Sequence, residues 1–212
     1  MASRIPTTRR QVLVDALVGA GAINIFASAG GAPASDAKAA PGPKADPGAR
    51  AASNIVIPTG GVHDFDFFAG SWMGANRRLK QRWVGSNDWD TFSGSLRCES
   101  RMHSMVNIDE VDFPTKGWSG MTVRVFSLEK RQWSLYWIDS KTGGLFPPVV
   151  GGFNGDHGEF FGDDTDEGRP VKLRFRWQRL GPDAAHWEQA FSLDGGREWE
   201  TNWTVEHKRV KS

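Results

Sequence analysis

The sequence predicts an all-β fold, an antiparallel up-and-down β-barrel over residues 62–212. The first observation behind this prediction is the motif Gly70-Ser71-Trp72, which opens the first long strand pattern. The second is a series of short strand patterns separated by turn signals, with no convincing helix between them. The third is the position of the aromatic residues: all ten tryptophans, and every phenylalanine except Phe26, lie after residue 62. So much aromatic surface needs an interior in which to be buried.

The strand patterns follow one another at intervals of about ten residues. Residues 72–84 are expected to form the first long strand, and residues 90–107 either the second strand alone or the second and third. Further strands are expected at residues 120–126, 132–139, 149–153, 158–162, 171–180, 186–193 and 198–210. Their connections are short, so consecutive strands form hairpins, and this favours a meandering barrel over a sandwich. A barrel of this size encloses one small ligand rather than an aqueous channel.

The N-terminal region is expected to lie outside the barrel. Thr8-Arg9-Arg10 precedes a mildly apolar run at residues 16–29, which resembles a twin-arginine export signal over residues 1–34. This predicts a periplasmic or exported protein; a disordered tail with an accidental arginine pair remains the alternative. The run is too short and too polar for a stable transmembrane span. Residues 35–61 are rich in Ala, Pro and Gly and are interpreted as a flexible linker.

Composition restricts the kinds of partner that the barrel is expected to bind. The 26 Lys and Arg residues are balanced by 25 Asp and Glu, and no basic stripe is present, so nucleic acid is not expected as a partner. Cys98 is the single cysteine, which excludes an intramolecular disulfide, and it is interpreted as a small buried side chain. The histidines share no metal-ligand spacing, so neither a metal nor a cofactor is predicted from spacing.

The last strand has the clearest alternation of side chains. One face is polar and is expected to meet water, and the other is expected to point toward the barrel interior. The interior face comprises Trp199, Thr201, Trp203, Val205, His207 and Arg209; the polar face comprises Glu200, Asn202, Thr204, Glu206 and Lys208.

Several stretches carry a resemblance to a known family. They are His63-Asp64-Phe65-Asp66-Phe67, Tyr136-Trp137-Ile138-Asp139-Ser140, Pro147-Pro148-Val149-Val150-Gly151, Trp187-Glu188-Gln189-Ala190-Phe191-Ser192 and Trp199-Glu200-Thr201-Asn202-Trp203. Together they resemble a bacterial family of lipocalin-like proteins that is described only as a domain of unknown function. The resemblance covers residues 62–210 and implies a lipocalin-like barrel with a small-molecule pocket.

Two further resemblances concern single residues. In the lipocalin-like superfamily the tryptophan of the G-x-W motif packs against a basic residue of the last strand, and Trp72 and Arg209 resemble that pair. A guanidinium stacked on an indole would close one barrel end. Gly70-Ser71-Trp72-Met73-Gly74 is also similar to the opening of nitrobindin-like haem barrels, whose iron is held by a histidine near the C-terminus. That resemblance implies haem held by His207 as an alternative.

The main functional prediction is a periplasmic binding protein for a small apolar or aromatic molecule. The candidate ligand-binding residues are Trp72, Trp137, Trp187, Trp203, His207 and Arg209. Core filling is the alternative role for any one of the tryptophans.

The alternative function is an enzyme, an isomerase or hydrolase, that uses the same cavity. Asp139 follows Trp137 on the same strand face, so its carboxylate would lie at an apolar rim as a candidate general base, or else cap the following turn. His103 is the other candidate base; it shares a face with Glu99 and Arg101, which is either an internal cluster or a solvated outer face. The acidic stretch at residues 163–168 is interpreted as a solvated turn rather than a calcium site.

Overall fold

A computed structural model of the chain describes residues 54–211. The predicted export signal, residues 1–34, and the greater part of the predicted linker lie outside the described residues. Within the described range no helix is long and apolar enough to cross a membrane.

The described chain begins with a short 3₁₀ turn and continues through ten strands. The turn is Asp66–Phe68, and the strands are β1 (Gly70–Leu79), β2 (Trp89–Arg101), β3 (Val106–Phe113), β4 (Trp118–Ser127), β5 (Gln132–Asp139), β6 (Val149–Asn154), β7 (His157–Asp166), β8 (Arg169–Gly181), β9 (Ala184–Ser192) and β10 (Glu200–Arg209).

The ten strands form one closed antiparallel barrel in which every strand pairs with its neighbours in sequence. β1 closes the barrel by pairing with β10, from Trp72 opposite Arg209 to Arg78 opposite Trp203. Because of this closure, neither β1 nor β10 is a free edge strand. The predicted all-β up-and-down barrel is therefore confirmed.

The predicted end of the first strand is wrong, and backbone conformation explains this error and the break between β2 and β3. The first strand ends at Leu79 rather than at residue 84, and the connection that follows contains Trp83 at φ 67°. Residues 90–107 contain β2 and the start of β3, and the break between them lies where Met102 and His103 adopt φ angles of 52° and 53°. Left-handed backbone ends a strand. Met102 is consequently exposed in the turn.

The plug, residues 65–68, closes the barrel end at which β1 begins. Phe65 and Phe68 are fully buried within the aromatic core. The Trp72 indole nitrogen donates a hydrogen bond to the Phe68 carbonyl at 2.8 Å. The Arg209 guanidinium lies 4.2 Å from the centre of the Trp72 ring and donates to the Ala69 carbonyl at 2.7 Å. The predicted contact between Trp72 and Arg209 is confirmed.

The last residues of the predicted linker are attached to the barrel. The Gly60 amide donates to the Arg131 carbonyl at 2.8 Å, and the Trp133 indole donates to the Gly61 carbonyl at 3.0 Å. A Cβ at Gly60 would lie 2.9 Å from the Phe153 amide nitrogen, so the chain passes close against β6. These residues thus belong to the folded unit.

A bulge in β10 changes which residues face inward. The pairing of β10 with β9 shifts between Thr201 and Trp203, so Asn202 is an extra residue on β10. Asn202 is buried, and its side-chain oxygen accepts a hydrogen bond from the Gln189 amide at 2.9 Å. The prediction that Asn202 meets water is therefore wrong.

The same bulge places Trp199 on the outside of the barrel. Trp199 packs against Phe161 and lies beneath the Arg174 guanidinium, 4.6 Å from the ring centre. Both partners belong to the outward rows of β7 and β8. The predicted single face from residue 199 to residue 209 is wrong before the bulge and right after it, because one extra residue reverses the alternation.

Candidate functional site

The barrel encloses a cavity of about 300 Å³ above the plug. Side chains of all ten strands line it, from Phe68 at the plug to the opposite barrel end. That opposite end, here called the mouth, is formed by the connections at residues 80–88, 114–117, 140–148, 167–168 and 193–199. β5 and β6 share only three residue pairs, so the upper half of β5 borders a long connection instead of a strand. Phe146 and Pro147 of that connection complete the cavity wall.

Three predicted tryptophans come together in this wall. Trp137, Trp187 and Trp203 all line the cavity, although they lie on three different strands. The rings of Trp187 and Trp203 meet edge to face, with centroids 5.7 Å apart at 83°. The Trp203 indole donates a hydrogen bond to the Asn76 side-chain oxygen at 3.0 Å, which satisfies its N–H and fixes the ring.

Trp137 is seated by a glycine on the neighbouring strand. A Cβ at Gly120 would lie 2.0 Å from the Trp137 ring, so no other residue fits there without moving the indole. The ring of Trp118 meets that of Trp137 edge to face, at a centroid distance of 6.5 Å. The position of Trp137 therefore depends on the absence of a side chain at Gly120 of β4.

The deepest part of the cavity contains a buried ion pair that sequence reasoning missed. Arg124 is 3% exposed and is paired with Asp109, which is 2% exposed. Arg124 also donates to the Asn107 side-chain oxygen at 2.7 Å, and its guanidinium lies 4.9 Å from the centre of the Phe65 ring. The sequence did contain a signal for Arg124, because the alternation of side chains along β4 places it on the same face as Gly120.

His207 lies beside this ion pair and is enclosed by aromatic rings. It stacks on Trp177 with a centroid distance of 5.6 Å at 12° and meets Phe68 edge to face at 5.1 Å. Burial lowers the pKa of His207 to about 3, and the positive charge of Arg124 acts in the same direction. Nδ1 of this neutral ring has no hydrogen-bond partner among the described residues.

This enclosure does not fit the haem alternative. A porphyrin held by His207 would have to displace Phe68 and Trp177, which pack directly against the imidazole. The cavity of about 300 Å³ is also at the lower limit for drug-sized ligands, which are smaller than a tetrapyrrole. Elsewhere in the described chain no group of three or more His, Cys, Asp or Glu side chains is arranged to hold a metal ion.

The neutral state of His207 predicts a loss of stability in mild acid. The folded-state pKa of about 3 lies below the ordinary value of about 6.5, so between these pH values only the unfolded chain binds the proton. Stability is fully present above pH ~6.5 and falls as the pH decreases. We expect His207 to account for a decrease of about 2 kcal/mol in the free energy of unfolding at pH ~5. Urea denaturation at pH ~6.5 and at pH ~5 measures this decrease in the free energy of unfolding.

The variant His207→Gln lacks this titration and is expected to lose less stability than wild type over the same pH interval. His103→Gln is the matched control, because His103 is exposed in a turn. An equal pH dependence in wild type and His207→Gln would contradict the assignment of a buried neutral imidazole.

Trp72 and Arg209, two of the predicted ligand-binding residues, do not line the cavity. Trp72 is 1% exposed and packs between the Phe68 ring, 5.1 Å away, and the Arg209 guanidinium. The Arg209 guanidinium donates to the Phe67 carbonyl at 2.5 Å and to the Pro182 carbonyl at 3.0 Å. Trp72 and Arg209 therefore close the plug end of the barrel.

The two candidate bases lie at opposite ends of the molecule. Asp139 lines the cavity at the mouth, but its Oδ1 accepts hydrogen bonds from the Lys141 amide, the Thr142 amide and the Thr142 hydroxyl, as in a turn cap. His103 is exposed in the turn after β2, at the plug end. Glu99 pairs with Arg101 on the outer face, which agrees with the alternative that these residues form a solvated outer face. The structure therefore does not bring Asp139 and His103 into one acid–base cluster.

Cys98 is buried as expected and does not have the character of a nucleophile. Its thiol donates to the Asn107 side-chain oxygen at 3.3 Å. Burial raises the pKa of Cys98 to about 11, so the thiolate is not formed at neutral pH.

Hydrogen bonds from Arg82 and Trp83 attach the β1–β2 connection to β7 and β10 at the mouth. Arg82 donates to both carboxylate oxygens of Asp166, at 3.0 and 2.5 Å, and the Trp83 indole donates to the same carboxylate at 2.7 Å. The Trp83 amide donates to Glu200 at 2.9 Å. Burial alone would raise the pKa of Asp166, but the hydrogen bonds from Arg82 and Trp83 outweigh it and hold that pKa below its ordinary value. Asp166 is therefore not part of a solvated acidic turn.

Comparison of the chain with protein-family models and with curated proteins finds no match. The functional argument therefore rests on the cavity itself.

Proposed function

We propose that this protein is a lipocalin-like binding barrel that takes a small apolar or aromatic molecule into its cavity. The observation that carries the proposal is the convergence of Trp137, Trp187 and Trp203 on one space of about 300 Å³ that the plug closes at one end. Ligand pockets are mostly apolar and contain a few placed polar groups. Asn76 and Gln189 are such groups in this wall.

Aromatic walls favour a ligand that has at least one aromatic ring. Edge-to-face and offset contacts between rings contribute about 0.5–1.5 kcal/mol beyond the area they bury. The rings of Trp187 and Trp203 are already held at 83° to each other, so they offer both a face and an edge to an incoming ring. Their fixed positions reduce the entropy lost on binding.

Binding is a better interpretation of this cavity than catalysis. The buried charges of Arg124 and Asp109 neutralise each other, and the carboxylate of Asp139 is engaged by its own turn. A general base must be within hydrogen-bond reach of the proton it removes. Asp139 is held by its own turn and His103 lies exposed at the other barrel end, so neither predicted base gains support for the enzyme alternative.

The proposal includes export from the cytoplasm. Its support is the Thr8-Arg9-Arg10 pattern within residues 1–34. Transport in the folded state would deliver the barrel with its cavity already formed.

The proposal predicts that Trp137→Ala and Trp203→Ala weaken ligand binding. With naphthamide as a neutral aromatic probe, we expect each variant to raise the Kd by about tenfold, because each loses a ring contact and buried apolar area. Isothermal titration calorimetry on the folded domain measures the Kd.

Trp89→Ala is the matched control for these variants. Trp89 does not line the cavity; its indole donates to Asn87, and its ring lies under the Arg77 guanidinium. We expect the control to bind naphthamide as wild type does. Equal affinity in wild type, Trp137→Ala and Trp203→Ala would reject the aromatic pocket.

A further inference from the structure

Arg78 differs from the other arginines that line the cavity. Arg82 is paired with Asp166, and Arg124 is paired with Asp109. Among the described residues, the Arg78 side chain makes no hydrogen bond and no ion pair; its guanidinium lies over the Trp203 ring, 4.8 Å from the ring centre. Stacking occupies one face of the guanidinium and leaves the N–H donors at its edge unused.

The carboxylates near Arg78 are already engaged with other groups. Oδ1 of Asp139 accepts hydrogen bonds from the turn that follows it, and both oxygens of Asp166 accept hydrogen bonds from Arg82. Asp90 is paired with Lys116 at 2.6 Å. These three carboxylates influence Arg78 only through the field of their charges. An arginine without a partner in a partly buried site leaves donors that an incoming anion would satisfy.

We propose that Arg78 binds the carboxylate of the ligand, so that the ligand class is small aromatic monocarboxylic acids. This inference rests on the proposed function, because it requires the aromatic cavity to hold the rest of the molecule. The carboxylate would lie at the mouth, and the ring would extend from Trp203 toward Trp187 and the plug.

Position and electrostatics support this assignment. Arg78 is the inward residue of β1 nearest the mouth, two positions after Asn76, which holds the Trp203 indole. Burial lowers the pKa of Arg78, and the neighbouring charge of Arg82 lowers it further, so this cation is poorly solvated. A guanidinium fork matches the planar carboxylate in a bidentate arrangement.

A monoanion fits the mouth better than a doubly charged phosphate ester. Asp139, whose charge acts on Arg78, and Asp164 both line the cavity, and their charges repel additional negative charge on the ligand. No lysine lines the cavity to offset that repulsion. A single carboxylate uses the free fork of Arg78 and adds the least repulsion.

The test compares three probes of the same shape and different charge: naphthoate, naphthamide and naphthylmethylamine. Titration calorimetry with the wild-type protein is expected to give at least tenfold tighter binding for naphthoate than for naphthamide, and weaker binding still for the amine. Arg78→Met removes the charge and keeps much of the side-chain length. It is expected to abolish the preference for naphthoate while leaving naphthamide binding within about threefold of wild type.

Arg77→Met is the matched control. Arg77 is the adjacent residue on the same strand, it points outward, and its guanidinium stacks on Trp89 in the same manner, at 5.0 Å. We expect Arg77→Met to retain the wild-type preference for naphthoate.

The outcomes separate this inference from the proposed function. If naphthamide binds and naphthoate binds no better, or if Arg78→Met keeps the preference, the carboxylate site is rejected and the aromatic pocket stands. Tighter binding of the amine would reject the carboxylate site in the same way. If none of the three probes binds, both the proposed function and this inference are rejected.

Discussion

Replacing Arg124 with methionine is expected to lower the free energy of unfolding by about 3–5 kcal/mol, because it leaves the Asp109 carboxylate buried without its partner. Asp109 is 2% exposed, so water does not replace the lost cation. The variant also loses the hydrogen bond to Asn107 and the contact of the guanidinium with the Phe65 ring. Urea denaturation followed by tryptophan fluorescence at neutral pH measures the change.

A double variant separates the cost of an unpaired charge from the loss of packing. Arg124→Met combined with Asp109→Leu removes both charges, and it is expected to recover most of the stability that the single variant loses. Arg176→Met is the surface control: its partner Glu159 is 2.7 Å away in an exposed pair, and the expected change is below about 1 kcal/mol. A double variant no more stable than Arg124→Met would show that packing dominates.

Replacing Trp72 with alanine is expected to cost about 3–5 kcal/mol of unfolding free energy, because it opens a void between the plug and the barrel end. The indole is 1% exposed, and it donates to the Phe68 carbonyl at 2.8 Å. Its removal also leaves the Arg209 guanidinium without the ring on which it stacks. Thermal and urea denaturation measure the loss.

Trp199→Ala is the control for this experiment. Trp199 is a tryptophan on the outer surface, stacked with Arg174, and its loss is expected to cost clearly less than that of Trp72. If the two variants were equally destabilised, Trp72 would not be the residue that closes the barrel. Trp72→Phe is expected to fall between wild type and Trp72→Ala, because it retains a ring for Arg209 but loses the indole N–H.

The fold could be predicted from the sequence because its signals are local. Turn residues such as Asn154-Gly155 separate strands whose alternation is visible over a few positions. The same alternation predicted that Trp203 points inward, and Trp203 lines the cavity. Starting from the inward Trp72, it would also have placed Arg78 in the cavity, since β1 continues without a bulge to that residue.

The errors arose where alternation breaks. The bulge at Asn202 reversed the faces of the residues that precede it, so Trp199 lies outside. The left-handed backbone at Met102 and His103 ends β2 within residues 90–107, a stretch in which the sequence did not locate the turn. Neither position is a glycine, so composition offered no warning.

The sequence by itself determined the class of fold, the order of the strands and most of the inward tryptophans, since these follow from the two-residue period of a strand and from turn chemistry. Only the tertiary structure decided which charges are paired and which is free. Arg82 pairs with Asp166, which lies 84 residues later in the chain, and Arg124 pairs with Asp109 on the neighbouring strand. The Arg78 guanidinium contacts the Trp203 ring instead. Which ion pairs form depends on the strand register and on barrel closure. All the strand pairings together set both, so no local sequence pattern encodes them.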